Sequence, residues 1–352
     1  MLNKKFFLLA LLPIMFFSCK HEDPKPVIDD SIVGKGVFVL NEGSYSYANA
    51  SLTFYNPERD TVANDLFYKV NAAPIGDVGQ SLALADNKLY IVSNNSNHIY
   101  KVNAKTMKYE SKIDQFVSPR EMMVVAPNKA YVSDLASPGL WIVNPVDMTH
   151  CGSVDLGKAA EKMLMVGNEL YVSNWSNFYV YGVDNNTVQV VDVNNNVKVS
   201  EIQVGKEPNC MALDKDNHVW VLCEGASWDT ISGETPSLWC IDPMLKTASR
   251  KAEFPGYVSC LASNKAGTAL YFLLNGDLCR FDIEQNAVST SFRIAAEGRT
   301  FYNIVVNPEN DEIYVTDVKD YMQNGKVYRY SSDGVLLSSF DAGIIPHAMV
   351  FN

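Results

Sequence analysis

One short phrase returns seven times along the chain, and this repeat constrains the fold more than any other feature of the sequence. Each copy is a β-rich run that carries an aromatic residue and ends in Asn, Asp or Glu. Such residues suit a pleated, half-buried surface, and the polar residue marks the exit from the sheet. The aligned aromatics are separated by 52, 41, 40, 49, 51 and 43 residues and are Phe38, Tyr90, Tyr131, Tyr171, Trp220, Tyr271 and Tyr314.

Two further phrases accompany the first one. Short apolar runs such as 81–86 and 121–127 precede it, and they suit an innermost strand that is buried on both faces. Runs such as 98–106 and 140–147 follow it and end in turn-forming Asn, Asp or Pro. A more polar fourth strand leads to the next unit. Because four-stranded units at a period of 40 to 52 residues are typical of propeller blades, and no helical stripe is visible, the repeat predicts an all-β propeller.

The two ends of the repeat array predict how the ring closes. The first unit begins at its second strand (36–42), whereas residues 346–351 resemble an inner strand with no blade after it. A C-terminal strand that completes blade 1 would remove the exposed sheet edges. We therefore predict a seven-bladed propeller over residues 34–352, with six or eight blades as alternatives because the spans 38–90 and 171–271 carry insertions.

The N-terminus has the pattern of a lipoprotein signal. Lys4 and Lys5 precede an apolar run of 12 residues (6–17), which is shorter than the roughly 20 residues that span a bilayer. Ser18 then precedes Cys19. We predict a signal peptide over 1–18 and lipidation of Cys19, which would anchor the protein to the outer membrane; an ordinary cleaved signal with an incidental cysteine is the alternative.

Residues 19–33 are predicted to form a flexible tether, because they are charged and proline-rich without apolar periodicity. The early Glu22 and Asp23 resemble those of lipoproteins exported to the surface of Bacteroidetes, which favours the cell-surface side of the outer membrane. The net charge is −11, and removal of Lys4 and Lys5 takes it to −13. An acidic body with no basic block argues against nucleic acid as a partner.

The six cysteines after Cys19 show no zinc-site spacing, so no structural metal is expected. Most of them lie in apolar runs that suit buried free thiols. Cys223 and Cys240 flank one predicted hairpin, which leaves a disulfide between them open.

The starts of the inner strands predict a ring of side chains at one mouth of the central channel. Most of these residues are large and polar or aromatic, and no catalytic role is assigned to them. Each on its own is an ordinary strand residue. The ring consists of Gln80, Arg120, Glu161, Asn209, Ser259, Tyr302 and His347.

The loops after the second strands should surround the same mouth. Four of them are long, and they combine Tyr and Trp with Asn and Ser, a mixture typical of recognition surfaces. Packing of the loops themselves is the alternative role for these aromatics. The candidate ligand-binding residues from these loops are Tyr45, Tyr47, Asn94, Trp175, Tyr179, Trp228 and Tyr321.

Known catalytic patterns are absent from the sequence: there is no nucleophile elbow, zincin motif, Walker loop or dinucleotide fingerprint. The five histidines are scattered without metal spacing, and His347 alone falls in the predicted mouth. Glu161 with Asn209 is similar to part of the metal site of propeller lactonases, but the ring offers a single carboxylate. We therefore expect no enzyme activity and no cofactor.

With the repeats in place, the chain resembles the bacterial propellers likened to surface-layer proteins and to YncE. Its opening, residues 36–58, is similar to the N-terminal signature of a Bacteroidetes branch that includes the BtuG-type surface lipoproteins. The resemblance implies high-affinity capture of cobalamin and related corrinoids, and their delivery to a TonB-dependent transporter of the BtuB type. The resemblance does not identify which residues of this sequence would contact a corrinoid. A glycan- or protein-binding surface propeller is the alternative, and a metal-dependent lactonase-like hydrolase is a third hypothesis.

Overall fold

The computed structural model describes residues 33–176, 179, 183–225 and 234–352, and these form seven four-stranded antiparallel sheets. This confirms the predicted seven-bladed propeller. Blade 1 contains β1 (Val37–Asn41), β2 (Ser51–Asn56) and β3 (Thr61–Ala63), and blade 2 contains β4 (Gly79–Ala85), β5 (Lys88–Ser93), β6 (His98–Asn103) and β7 (Tyr109–Ile113). Between them lies α1 (Leu66–Asn71), the single helix among the described residues.

The next two blades follow the same order from the inner to the outer strand. Blade 3 contains β8 (Pro119–Ala126), β9 (Lys129–Asp134), β10 (Gly139–Asn144) and β11 (Thr149–Asp155). Blade 4 contains β12 (Met163–Val166), β13 (Glu169–Ser173), β14 (Thr187–Asp192) and β15 (Val197–Gln203).

The remaining three blades are also four-stranded. Blade 5 contains β16 (Pro208–Leu213), β17 (Val219–Cys223), β18 (Ser237–Asp242) and β19 (Thr247–Glu253). Blade 6 contains β20 (Val258–Ser263), β21 (Ala269–Leu274), β22 (Asp277–Asp282) and β23 (Ala287–Ile294). Blade 7 contains β24 (Phe301–Val306), β25 (Ile313–Asp317), β26 (Asn324–Tyr330) and β27 (Leu336–Ile344).

The C-terminal strand β28 (Pro346–Phe351) is the inner strand of blade 1, as the sequence predicts. It pairs antiparallel with β1, and Val37 lies opposite Phe351 in the register. The ring of Phe351 packs edge-on against Tyr314 of blade 7, with the ring centroids 5.3 Å apart. The last strand therefore joins the first and last blades.

Apolar side chains form seven buried clusters, each at an interface between neighbouring blades. The repeated aromatic of each second strand is buried in this layer. Its polar atom often reaches the following blade: Tyr131 Oη donates a 2.6 Å hydrogen bond to Asn196 Oδ1. Tyr171 Oη likewise accepts from Lys246 at 3.0 Å. The repeated aromatic thus fills the interface and satisfies its own hydroxyl there.

The disulfide that the sequence left open is not formed, and all six described cysteines are free. Across the hairpin, Cys240 lies opposite Trp220, whereas Cys223 lies opposite Ser237. The two sulfurs are therefore separated by three positions of the ladder, which is beyond the reach of a disulfide.

Candidate functional site

All seven residues of the predicted ring surround one cavity of about 440 Å³ at a mouth of the central channel. We call this the mouth cavity. The turns that join inner to second strands lie at the opposite end of the channel, so the mouth faces away from them. The cavity is lined by Gln80, Arg120, Glu161, Asn209, Ser259, Tyr302 and His347, and also by Glu42, Val78, Lys162, Trp175, Cys210, Glu224, Tyr257, Cys260, Phe301, Asn303 and Tyr321.

β-Bulges place five of the ring residues. The ladders between inner and second strands lose their register at these points, so the ring residue lies in an irregular stretch of strand. In blade 2, for example, Gly79 pairs with Ser93 and Ser81 with Val92, which leaves Gln80 as the extra residue. The five ring residues in such irregularities are Gln80, Arg120, Asn209, Tyr302 and His347.

Left-handed backbone accompanies three of these bulges. The φ angles are 54° at Val78, 56° at Glu207 and 53° at Ile345. Each of these residues lies two positions before a ring residue. The left-handed region is unfavourable for β-branched side chains such as Val and Ile, at a cost on the order of 1–3 kcal/mol each, and such strain is common beside functional sites.

Arg120 organises one side of the mouth. Its Nε and Nη2 donate to the two carboxylate oxygens of Glu161 at 2.7 and 2.8 Å, and its Nη1 donates to Gln80 Oε1 at 2.7 Å. Burial alone would lower the pKa of Arg120, but Glu161 raises it overall. Because both oxygens of Glu161 accept from Arg120, this carboxylate has no oxygen left for a lactonase-type metal except at the cost of the ion pair.

Glu224 forms a second polar group across the cavity. Its carboxylate accepts from Asn209 Nδ2 at 2.5 Å and from Trp175 Nε1 at 3.1 Å. Burial raises the pKa of Glu224 to about 6, although both hydrogen bonds lower it. Partial burial and the nearby Glu224 carboxylate raise the pKa of Tyr257, at the rim, to about 12. The Glu224 carboxylate thus offers a hydrogen-bond acceptor to a ligand, and the Tyr257 hydroxyl offers a donor.

Glu42 forms a third polar group. Its Oε1 accepts from Tyr302 Oη at 3.1 Å. His347 Nδ1 lies 3.0 Å from the same oxygen, but it is not oriented for a hydrogen bond and is buried without a partner. Burial and the Glu42 carboxylate raise the pKa of Tyr302. The Nδ1 atom of His347 therefore contacts the Glu42 carboxylate without a well-oriented hydrogen bond.

Four exposed tyrosines lie on loops that follow second strands; of these, Tyr321 lines the mouth cavity, whereas Tyr45, Tyr47 and Tyr179 do not. The rings of Tyr45, Tyr47, Tyr179 and Tyr321 are 47–77% exposed, and we call these four the tyrosine crown. The ring of Tyr321 contacts that of Tyr302 edge-on, with the centroids 6.0 Å apart, which joins crown and cavity. Exposed aromatic rings of this kind offer rigid contact area at little entropic cost.

The remaining predicted residues have different outcomes. Trp175 lines the cavity through its bond to Glu224. Asn94 does not line it, because its amide donates to Ser118 Oγ and Pro119 O and so fixes a loop between blades 2 and 3. Trp228 and the predicted lipidation site Cys19 lie outside the described residues.

Three lining residues of the mouth were not predicted from the sequence: Glu42, Glu224 and Tyr257. The count of a single carboxylate at the ring was therefore too low for the mouth as a whole, because two more come from the ends of β1 and β17. A signal was present: where other repeats end in Asn or Asp, these two end in Glu. The longer side chain reaches the channel from the neighbouring strand.

One group of potential metal ligands exists among the described residues, outside the mouth: Asp214, His218 and Cys240. The carboxylate of Asp214 already accepts several hydrogen bonds at this position. Its oxygens accept from the backbone N–H groups of Asp216 and His218, from His218 Nδ1 and from Trp220 Nε1, at 2.9–3.0 Å. Four donors on one carboxylate indicate a structural hub that holds the turn before β17.

The fold and the site together define a closed seven-bladed propeller with one polar mouth and an aromatic rim. The family model for a domain of unknown function, DUF5074, matches residues 35–351, and the chain belongs to this family. No curated protein matches the chain.

Several solved structures share the fold. A quinonprotein alcohol dehydrogenase-like protein from Bacteroides thetaiotaomicron is 17% identical, with a TM-score of 0.70 over 90% of this chain and 78% of that one. A hypothetical selenium-binding protein from Sulfolobus tokodaii is 12% identical, with a TM-score of 0.68 over 90% and 93%. At such identities the likeness shows the fold alone. Among the described residues, no helix has the length and apolarity needed to cross a membrane.

Proposed function

We propose that the protein is a ligand-capture propeller that binds a corrinoid on its mouth face. The observation that carries this proposal is the combination, on one face, of a cavity lined by hydrogen-bonding groups and a rim of exposed tyrosines. Apolar contact area with a few placed polar groups is the usual composition of a small-molecule site. The resemblance of residues 36–58 to BtuG-type lipoproteins supplies the ligand class.

The chemistry of the mouth suits a disc edged with amides. The carboxylates of Glu42 and Glu224 accept hydrogen bonds, so they can receive amide N–H groups. Tyr257 and His347, which also line the cavity, can pair with further polar groups of the ligand. The cavity of about 440 Å³ would take one edge of a corrinoid, and the flat, partly apolar part would lie across the tyrosine crown.

The path of the chain supports capture on the side away from the anchor. Residues before β1 reach the propeller at the end opposite the mouth, where Asn352 Nδ2 donates to Gly34 O at 2.8 Å and Asn352 N donates to Gly36 O at 2.9 Å. With lipid on Cys19 and a flexible tether of about 15 residues, the anchor would leave the mouth face unobstructed. Delivery to a TonB-dependent transporter of the BtuB type would then complete uptake.

Calorimetric titration of the purified protein with cyanocobalamin tests the ligand. We expect saturable binding of one molecule per chain without turnover. If no heat of binding appears up to millimolar ligand, the corrinoid proposal is wrong. A panel of soluble glycans, titrated in the same way, tests the second candidate, which the exposed tyrosine rings favour because sugar faces stack on them.

A further inference from the structure

One side of the mouth cavity is a corner built from a carboxylate and three aromatic rings. We call it the Glu42 corner; it consists of Glu42, Tyr302, Tyr321 and His347, all of which line the cavity. The Tyr302 and Tyr321 rings are nearly perpendicular, at 89°, with their centroids 6.0 Å apart. The His347 ring centroid lies 5.3 Å from that of Tyr302. These distances place the four side chains side by side rather than scattered around the channel.

The main chain fixes Glu42 in this corner. Its N–H donates to Ile345 O at 2.9 Å, and its C=O accepts from Gly79 N at 3.1 Å. The Glu42 side chain is 16% exposed, and its Oε1 lies 3.1 Å from Tyr302 Oη and 3.0 Å from His347 Nδ1. A ligand therefore meets a carboxylate that is already in place, which lowers the entropic cost of binding.

Among the described residues, the Glu42 carboxylate has no lysine or arginine within ion-pair distance. The lysine and the arginine that line the mouth cavity are paired with other carboxylates. Arg120 donates to both oxygens of Glu161, and Lys162 donates to Glu121 at 2.7 Å. Because a largely buried carboxylate is costly without a partner, Glu42 favours a ligand that brings a positive charge.

The aromatic walls of the corner suit the apolar surface of an organic cation. The negative face of an aromatic ring attracts a cation within about 6 Å of its centroid, and cages of such rings recognise quaternary ammonium groups. The Tyr321 backbone has a φ of 65°, and its N–H donates to Val318 O at 3.0 Å, so a tight turn positions this ring. Because Tyr321 is 47% exposed, the corner is open to a solute.

We propose that the Glu42 corner binds an organic ammonium group, of which the quaternary ammonium of choline is a simple form. The positive charge lies against the Glu42 carboxylate, and the methyl groups lie against the Tyr302 and Tyr321 rings. Hard metal cations require a shell of several oxygens, whereas this corner offers one carboxylate and aromatic rings. The inference goes beyond corrinoid capture, because amides and a flat face require no positive charge at this position.

Titration of the wild-type protein with two probes of the same shape tests the role of charge. One probe is choline, and the other is its uncharged carbon analogue, in which a tert-butyl group replaces the trimethylammonium group. With binding followed by proton NMR of the methyl signals at constant ionic strength, choline should bind about 10-fold more tightly. Equal affinities for the two probes would overturn the proposal. This comparison does not depend on the folding of any variant.

Substitutions then locate the site. Glu42→Gln keeps the size of the side chain and removes its charge, so the roughly 10-fold preference for choline over the carbon analogue should disappear. Tyr321→Leu removes one aromatic wall and should weaken choline binding by about 5-fold. Glu309→Gln and Tyr109→Leu, which change an exposed carboxylate and an exposed tyrosine away from the mouth, should bind as the wild type does. An unchanged choline preference in Glu42→Gln that unfolds at the wild-type temperature would also overturn the proposal.

The result is separable from that of corrinoid capture, because choline binding is measured without cyanocobalamin. If cyanocobalamin gives no heat of binding while choline is preferred over its analogue, the ammonium site stands and the corrinoid proposal is wrong. Binding of cyanocobalamin together with equal affinities for the two small probes would have the reverse meaning.

Discussion

Glu224 combines burial with too few hydrogen bonds to offset it, so its charge costs stability. It is 8% exposed and accepts from Asn209 and Trp175, and its pKa rises from 4.5 to about 6. Between these two pH values the folded state binds more protons than the unfolded state. The free energy of unfolding therefore falls as pH rises through this window.

We predict that the wild type loses about 2 kcal/mol of stability between pH 4 and pH 7.5 at this site, since one pKa unit corresponds to about 1.4 kcal/mol. Glu224→Gln should lack this component of the pH dependence, as measured by urea unfolding at both pH values. Glu309→Gln, at an exposed position, should keep it. Equal pH dependence in the wild type and Glu224→Gln would show that the carboxylate is solvated.

Arg120 and Glu161 form the most buried ion pair of the mouth. The Glu161 side chain is 3% exposed, so removal of Arg120 would leave a buried, unpaired carboxylate. We expect Arg120→Met to cost about 3–5 kcal/mol in urea unfolding, and the double variant with Glu161→Gln to recover part of this loss. Lys35→Met breaks an exposed pair with Glu309 and should cost at most about 1 kcal/mol. A double variant no more stable than Arg120→Met would contradict the account.

Among the elements, β28 has the largest effect on the whole ring. It is the inner strand of blade 1 and its Phe351 packs on Tyr314 of blade 7. Truncation after Ile345 would leave the edge of β1 unpaired and one channel wall missing. We predict loss of the cooperative thermal transition and aggregation in size-exclusion chromatography.

A synthetic peptide of residues 346–352 provides the matched control for this truncation. If closure is the reason for the defect, the added peptide should restore a cooperative transition, and a scrambled peptide should not. A truncated chain that melts at the wild-type temperature would contradict the role of β28.

The strands could be predicted from sequence because their pattern is local and repeated seven times. Apolar runs such as 81–86 indicate a buried strand, and the repeated aromatics indicate the interfaces between blades. The bulge at Gln80 and the left-handed Val78 have no such local signal, since they arise from how two strands pair. The ring was nevertheless found, because each of its members precedes an apolar run at a fixed distance.

The interior of the site could not be read from the sequence in the same way. Glu42 and Glu224 directly follow second strands, and their approach to the ring depends on side-chain length and on the curvature of the channel. Asn94 looks like a recognition residue in sequence, but hydrogen bonds to Ser118 and Pro119 occupy its amide. In sequence, an asparagine that would contact a ligand cannot be told from one whose amide fixes the loop.

Across the mouth face of the propeller, the tyrosine crown should supply contact area for the ligand. We predict that Tyr47→Ser and Tyr321→Ser each weaken cyanocobalamin binding by about 10-fold, equivalent to about 1.4 kcal/mol. Tyr109→Ser, an exposed tyrosine on the outer strand of blade 2, should have no effect in the same calorimetric assay. Equal losses for all three variants would place the effect outside the mouth face.

Hydrogen exchange of the protein with and without cyanocobalamin tests most directly whether the mouth is the binding face. We predict ligand-dependent protection in the crown loops 42–50 and 317–325 and at 257–260. The turns at the other end of the channel, 86–87, 145–148 and 243–246, should exchange at unchanged rates. Protection confined to those turns, or no protection at saturating ligand, would show that the mouth is not the binding face.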